Sequence, residues 1–224
     1  MINSAIRKLP TTDLNSEQVD TRELILRVAL KEFSKFGVDA VKLSHIRDQA
    51  GLSNRSGVHY HFKTKDLLVV AVTERVQASL NRYFEKALHA EQASGHTDSL
   101  EVVVRRMFTP FVQYFMSHKE GSVGLRFLSR LTWQTGQRGQ DLLRQFFTQY
   151  LGNFDRSLRH CLPTMNEADL RFKLYLAVNT AIHGIADYSI LLNDEALEDL
   201  FTREDWPDHL NNLFMNYITG GLRA

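Results

Sequence analysis

The sequence predicts an all-α protein of about nine helices, with an N-terminal three-helix head that contains a helix-turn-helix, joined through a long fourth helix to a larger helical body. Three observations predict this. Apolar residues recur at steps of three and four along almost the whole chain, strand-like alternation is absent, and short Gly-, Pro- or polar-rich breaks separate the helical runs. The expected boundaries are 16–64 for the head and 65–224 for the body. Because the body begins inside the fourth helix, a rigid element replaces a linker.

Met1 to Asn15 mixes Asn, Ser, Thr and Pro10 and is expected to form a mobile arm. In the first helix Ile25, Val28, Ala29, Phe33 and Phe36 share one face, and Gly37 is placed to end it. A second helix, near Leu43 to Ala50, buries Leu43, Ile46 and Ala50 before the turn Gly51-Leu52-Ser53-Asn54, in which Leu52 is the apolar plug. The third segment, about Arg55 to Phe62, packs Val58 on one side and offers Ser56, His59, Tyr60 and His61 as hydrogen-bonding tips. A helix that enters a DNA major groove needs that division. Thr64 is placed to cap a fourth helix with Asp66 in its first turn, where free amide groups and Lys65 together suit a phosphate. Val72, Val76, Leu80, Tyr83, Phe84, Ala87 and Leu88 carry that helix well past the head.

In the body, breaks fall at Ser94-Gly95-His96, around Lys119-Glu120-Gly121, at 135–139, at Leu162-Pro163-Thr164 and across 193–205. Pro110 lies inside the helix from about Asp98 to Ser117 and should bend it. The run Asn166 to Leu192 is apolar nearly all round: Leu170, Leu174, Ala177, Val178, Ala181, Ile185, Tyr188 and Leu192 form one stripe, with Phe172, Tyr175, Leu176, Ala186 and Ile190 opposite. Such a helix must be covered on both sides. Ala177, Ala181 and Gly184 would allow close approach of a partner helix. With Leu210, Leu213, Phe214, Tyr217 and Ile218 of the final helix, paired copies would form a four-helix homodimer interface.

Composition narrows the function. The 224 residues are 43% hydrophobic and 24% charged, which suits an ordinary globular chain. One cysteine, Cys161, fits the expected cytoplasmic location, no apolar run at the N-terminus resembles a signal peptide, and the apolar run Leu67 to Val72 is far too short for a membrane span. The nine histidines are scattered, His59 and His61 point in different directions on a helix, and no Gly-rich phosphate loop, nucleophile elbow or zinc motif is present. Neither an enzyme nor a cofactor or metal is therefore expected. Between Val41 and Lys65 the bases Lys42, Arg47, Arg55, Lys63 and Lys65 face one acid, Asp48, so 5 − 1 leaves +4 in a chain of net charge +1. That local excess suits phosphate contacts.

An ordered set of residues carries a family resemblance. Thr21-Arg22-Glu23-Leu24-Ile25-Leu26, then Ala29, Phe33 and Gly37, then Ile46, Ala50-Gly51-Leu52-Ser53 and Tyr60-His61-Phe62-Lys63-Thr64-Lys65-Asp66-Leu67 resemble the DNA-binding domain of the TetR family of transcriptional regulators. The resemblance implies a homodimeric repressor that binds a palindromic double-stranded operator and is released by a small-molecule effector. On this reading Asn54, Arg55, Ser56 and His59 face the bases, and Lys42, Ser44, Tyr60, Lys63 and Lys65 hold phosphates. The chain departs from the commonest pattern by one extra residue between Gly51 and Phe62, which puts His59 where a phosphate-contacting tyrosine usually stands and leaves both His59 and Tyr60 as candidates. The effector pocket implied within the body would be lined by Met107, Phe111, Phe115, Phe127 and Trp133, with Arg130, Asn179 and His183 as polar anchors. Aromatics and Met beside arginines suit an acyl-like or amphipathic effector. The rival, a cationic ligand, would use Asp187 with Tyr188. The alternative function is a helical small-molecule-binding protein whose basic head contacts protein or nonspecific nucleic acid.

Overall fold

The computed structural model describes residues 11–54, 57–134, 136–186 and 194–224, with side chains at all of these except 11–19, 132–138 and 140. Every regular element among the described residues is helical. The head comprises α1 (Thr11–Phe36), α2 (Leu43–Gln49) and α3 (Gly57–His61); α4 (Lys65–Ala93) leads into the body. The body continues with α5 (Leu100–Ser117), α6 (Gly121–Gln134), α7 (Gly136–Leu151), α8 (Asp155–Cys161), α9 (Glu167–Asn179), α10 (Glu198–Thr202) and α11 (Trp206–Arg223). These exceed the nine expected because short turns divide the later segments: a 3-10 turn at Gly152–Phe154 precedes α8, and α10 is split from α11.

Several boundaries differ from expectation. The α1 backbone is already helical at Thr11, so the segment expected to be mobile contributes its last five residues to the helix. The third helix is shorter than the eight residues expected, covering Gly57–His61, while Arg55 and Ser56 lie outside the described residues. The long helix expected to run to Leu192 is α-helical to Asn179 and π-helical over Thr180–Gly184; Asp187, Tyr188, Ile190 and Leu192 lie outside the described residues. Pro110 is accommodated inside a continuous α5 and is itself buried.

The stops and starts follow the expected chemistry. Gly37 adopts φ 85° and its amide donates to Phe33 O at 2.9 Å, which ends α1. At the end of α2, Gly51 adopts φ 66°, with Gly51 N donating to Asp48 O and Leu52 N to Arg47 O, each at 3.1 Å. That pair of bonds satisfies the last carbonyls and turns Leu52 back onto the core. Thr64 caps α4, its hydroxyl accepting from Leu67 N at 3.2 Å.

Helix α1 packs on α4 and α6, α4 on α5, and α11 on α5 and α9. Head and body thus share one apolar core. Phe33 of α1 and Phe127 of α6 are both fully buried, with ring centroids 6.3 Å apart. Burial of each such side chain stabilises by about 1.5–3 kcal/mol. Deeper in the body Phe84 of α4 stacks on Tyr150 of α7 at 3.8 Å and meets Phe111 of α5 at 5.1 Å. Between α5 and α6, Gly121 and Gly124 permit contact that any side chain would block: a Cβ at Gly121 would strike the Tyr114 carbonyl, and one at Gly124 the Tyr114 hydroxyl.

Buried polar groups are tied into this frame. Glu91, 1% exposed at the end of α4, accepts from Arg106 of α5 at 2.6 Å and from the Ser157 hydroxyl of α8, with His96 Nδ1 3.2 Å away. Burial opposes its ionisation, but the bonds from Ser157, Arg106 and His96 outweigh it and hold the carboxyl below the ordinary carboxylate value. Arg75 of α4 joins Glu23 of α1 to Glu120 at the start of α6, a second bridge between head and body.

On the outer side of the body, Phe172, Tyr175 and Leu176 of α9 and Leu213 and Tyr217 of α11 are exposed in the single chain, between 47% and 70%. Lys173 Nζ donates to Leu222 O at 3.3 Å and holds the two helices side by side. The small-residue stripe is divided: Gly184 is exposed, whereas its two alanines behave otherwise than expected. Ala177 and Ala181 are buried within this chain, so they admit its own neighbouring helices and leave the outer face to the aromatics.

Candidate nucleic-acid interface

The head positions its candidate residues through three local devices. Lys42 is the extended N-cap residue of α2, with φ −90° and ψ 152°, and is exposed beside exposed Ser44. The Gly51-Leu52 turn then redirects the chain, so that exposed Asn54, whose carbonyl accepts from Gly57 N at 3.0 Å, leads into α3. Within α3, Val58 is 2% exposed while His59 and Tyr60 face solvent, Tyr60 at 69%. This is the buried and exposed division expected of a groove-entering helix. Arg55 and Ser56, expected to face bases, lie outside the described residues.

His59 and Tyr60 are neighbours and both are exposed, so exposure does not separate the two candidates. Tyr60 sets its ring edge-on to His61 at 5.1 Å. His61 is half-buried, and burial, with the Arg22 charge adding to it, holds its imidazole below the ordinary value of 6.5. Arg22 in turn lies over the Phe62 ring at 5.1 Å. Arg22, a residue quoted in the resemblance but given no role there, thereby ties α1 to the end of α3 and to Phe62 that follows it.

At the start of α4, Lys63 is exposed and Lys65 is half-buried, its Nζ donating to Asp39 O at 3.1 Å. This contact holds Lys65 beside the capped N-terminus, where the helix dipole favours an anion. Arg47 is less available than the charge count implied, since both Nε and Nη2 bond Asp48 Oδ1, at 2.8 and 2.5 Å. Glu32, 6% exposed on α1, holds His45 of α2 at 2.5 Å and ties the second helix to the first. Among the described residues, the exposed cations of the expected site are therefore Lys42 and Lys63, with Lys65 half-buried beside them.

The candidate effector residues are divided among different tasks. Met107, Phe111 and Phe127 are fully buried, and Phe111 packs against Phe84, Phe108 and Phe147. Phe115 is half-buried against the same core. Arg130 Nε donates to Ser34 O at 2.8 Å, which caps the last turn of α1 from the body. Asn179 Nδ2 donates to Tyr175 O at 2.8 Å within its own helix. His183, in the π-helical turn, shares a 2.7 Å hydrogen bond with Ser129 of α6, a partner that the sequence did not signal. The Trp133 side chain lies outside the described residues. Two open clefts, of about 390 and 240 Å³, are lined by other residues: one by Asp98, His160, Cys161 and Arg223, the other by Val38, Lys65, Val69 and Leu142. No group of three or more metal-ligating side chains occurs among the described residues, and no described helix is long and apolar enough to cross a membrane.

A glycine-turned pair of helices with an exposed third-helix face, packed on a helical body, defines a helix-turn-helix protein. Residues 25–72 match the pattern described as bacterial regulatory proteins, tetR family, and residues 105–221 match the tetracyclin repressor-like C-terminal domain. The chain belongs to the TetR family. It is similar to the HTH-type transcriptional repressor NicS of Pseudomonas putida, at 30% identity over 110 residues. That match covers 49% of this chain and 49% of NicS, so the chain aligns with about half the length of this relative. Among solved structures, Salmonella enterica GusR overlays with a TM-score of 0.43 at 14% identity, covering 92% of this chain and 97% of that one. A TetR-family regulator from Streptomyces coelicolor A3 overlays with a TM-score of 0.38 at 19% identity, covering 98% and 100%.

Proposed function

We propose that the chain is a DNA-binding transcriptional repressor that grips a palindromic operator as a homodimer and releases it when a small effector occupies the body. The observation that carries this reading is the Thr64-capped start of α4, where Lys65 is held by Asp39 O in the first turn, two residues after exposed Lys63. Phosphate is the ligand that both the dipole and the lysines favour. The head, 16–64, reads DNA through α3 and the residues leading into it: Asn54, Arg55, Ser56 and His59 face the bases, while Lys42, Ser44, Tyr60, Lys63 and Lys65 hold the backbone. The body, 65–224, binds the effector and pairs through α9 and α11, whose outward Phe172, Tyr175, Leu213 and Tyr217 need a cover. A two-fold axis there sets two heads about one helical turn, ~34 Å, apart.

The proposed effector is amphipathic or acyl-like, taken up where the aromatic cluster around Phe111 and Phe127 can part. A differential affinity of roughly 1–3 kcal/mol between the two head spacings changes operator affinity about 5- to 150-fold. Selection of random duplex DNA on the purified full-length protein at about 0.15 M salt tests the reading, since nonspecific binding is weakened there. Enrichment of a palindrome supports it. Failure to enrich any sequence would overturn it in favour of a head that contacts protein or nonspecific nucleic acid.

A further inference from the structure

Helix α1 has a charge arrangement that the expected DNA contacts do not use. Over 21–36 its bases are Arg22, Arg27, Lys31 and Lys35 and its acids Glu23 and Glu32, so 4 − 2 leaves +2. Both acids are tied inward or sideways: Glu23 to Arg75, and buried Glu32 to His45. Arg22 lies over the Phe62 ring and is off the four-residue steps of the other three bases. Arg27, Lys31 and Lys35 are all exposed, follow one another at four-residue steps on one face, and have no acid partner among the described residues. The inner face of the same helix is occupied by Ile25, Ala29, Leu30 and Phe33 in the core.

This stripe runs into the edge of the DNA-facing head. Lys35 Nζ lies 4.8 Å over the Phe36 ring, that ring meets His45 of α2 at 6.2 Å, and Lys42 is the residue capping α2. At 1.5 Å per residue the stripe is roughly 12 Å long, with its cations about 6 Å apart along the axis. A duplex presents one phosphate per 3.4 Å of each strand. Three cations in a row without an acid partner among the described residues, leading toward exposed Lys42 at the start of α2, match a sugar-phosphate backbone and offer no base-reading geometry.

We propose that Arg27, Lys31 and Lys35 form a second phosphate-binding surface that lies along the DNA backbone beyond the residues contacted by α2, α3 and α4. It adds affinity and salt dependence without adding sequence preference. The proposal rests on the DNA-binding reading of the head. Its occupant is the backbone of double-stranded DNA flanking the bases read by α3.

The test compares wild type with R27A/K31A/K35A in the full-length chain, using a duplex enriched by selection and a random duplex of equal length. Anisotropy titrations over 0.05 to 0.20 M salt provide the slope of log K against log salt. Each lost phosphate contact removes about 0.9 from the slope, so three remove about 2.7, and wild type loses about 40-fold more affinity than the variant across that range. The preference for the enriched over the random duplex stays the same. R27K/K31R/K35R, which keeps every charge, retains the wild-type slope. If the alanine variant retains the wild-type slope, the stripe does not touch DNA and the proposal is overturned while the head's reading stands. If wild type itself has no salt-dependent DNA affinity, the underlying reading fails first.

Discussion

Replacement of Arg130 by methionine tests how the body holds the head. Ser34 lies in the last turn of α1, where carbonyls have no intrahelical donor, and Arg130 Nε reaches its oxygen from α6 at 2.8 Å. A cation at a helix C-terminus also meets the negative end of the dipole. Hydrogen bonds from charged groups contribute about 1.5–3 kcal/mol, and because Arg130 is half-buried the lower end, about 1.5 kcal/mol, is the expected loss. Methionine keeps much of the apolar stem, so the loss comes from the bond and not from a hole. For a chain of this size that corresponds to a fall in Tm of about 3–6 °C. Thermal unfolding of the variant and of Arg130→Lys, together with amide hydrogen exchange, measures it. Exchange at residues 33–38 should accelerate in Arg130→Met while α2 and α5 stay protected, with the lysine variant between. Because Ser129, the preceding residue, bonds His183, α6 touches the π-helical turn and the head through adjacent positions. If Tm moves by less than about 1 °C and exchange at 33–38 is unchanged, the Arg130 bond does not hold the head and this reasoning fails.

Further outcomes follow from the same contacts. Lys65→Ala should weaken binding to every duplex and lower the salt slope by about 0.9, whereas Arg55→Ala should relax preference at particular base pairs; titrations on enriched and random DNA distinguish these. Leu213→Glu with Tyr217→Glu alters two residues that are 48% and 70% exposed in the single chain, so each chain should fold yet sediment as a monomer; a persistent dimer would place the interface elsewhere. For His61 the folded-state value lies below 6.5, so between the two values the unfolded chain binds a proton that the folded chain does not. Stability should therefore fall as pH drops through 6.5 and level off below the folded value, and urea midpoints of His61→Gln should fall less steeply over that interval.

The all-α class, the head, the cap at Thr64 and the stops at Gly37 and Gly51 were legible in the sequence, because each depends on local spacing and on a residue type suited to one backbone geometry. Val58 inward with His59 and Tyr60 outward follows from the same helical period. What neighbours decide was not legible. Ala177 and Ala181 suggested a close partner helix, but they are covered within this chain, since periodicity states that a face is buried and not by what. Arg130 suggested a ligand anchor, yet it caps α1, because the carbonyl it meets is distant in sequence. The π-helical turn at His183 left no local mark. The sequence by itself determined the helices, their ends and the outward face of α3, which short-range sterics and hydrogen bonding dictate. Only the tertiary structure decided which charges remain available, because Glu23 and Glu32 find Arg75 and His45 through packing and leave Lys42, Lys63 and the α1 stripe facing solvent.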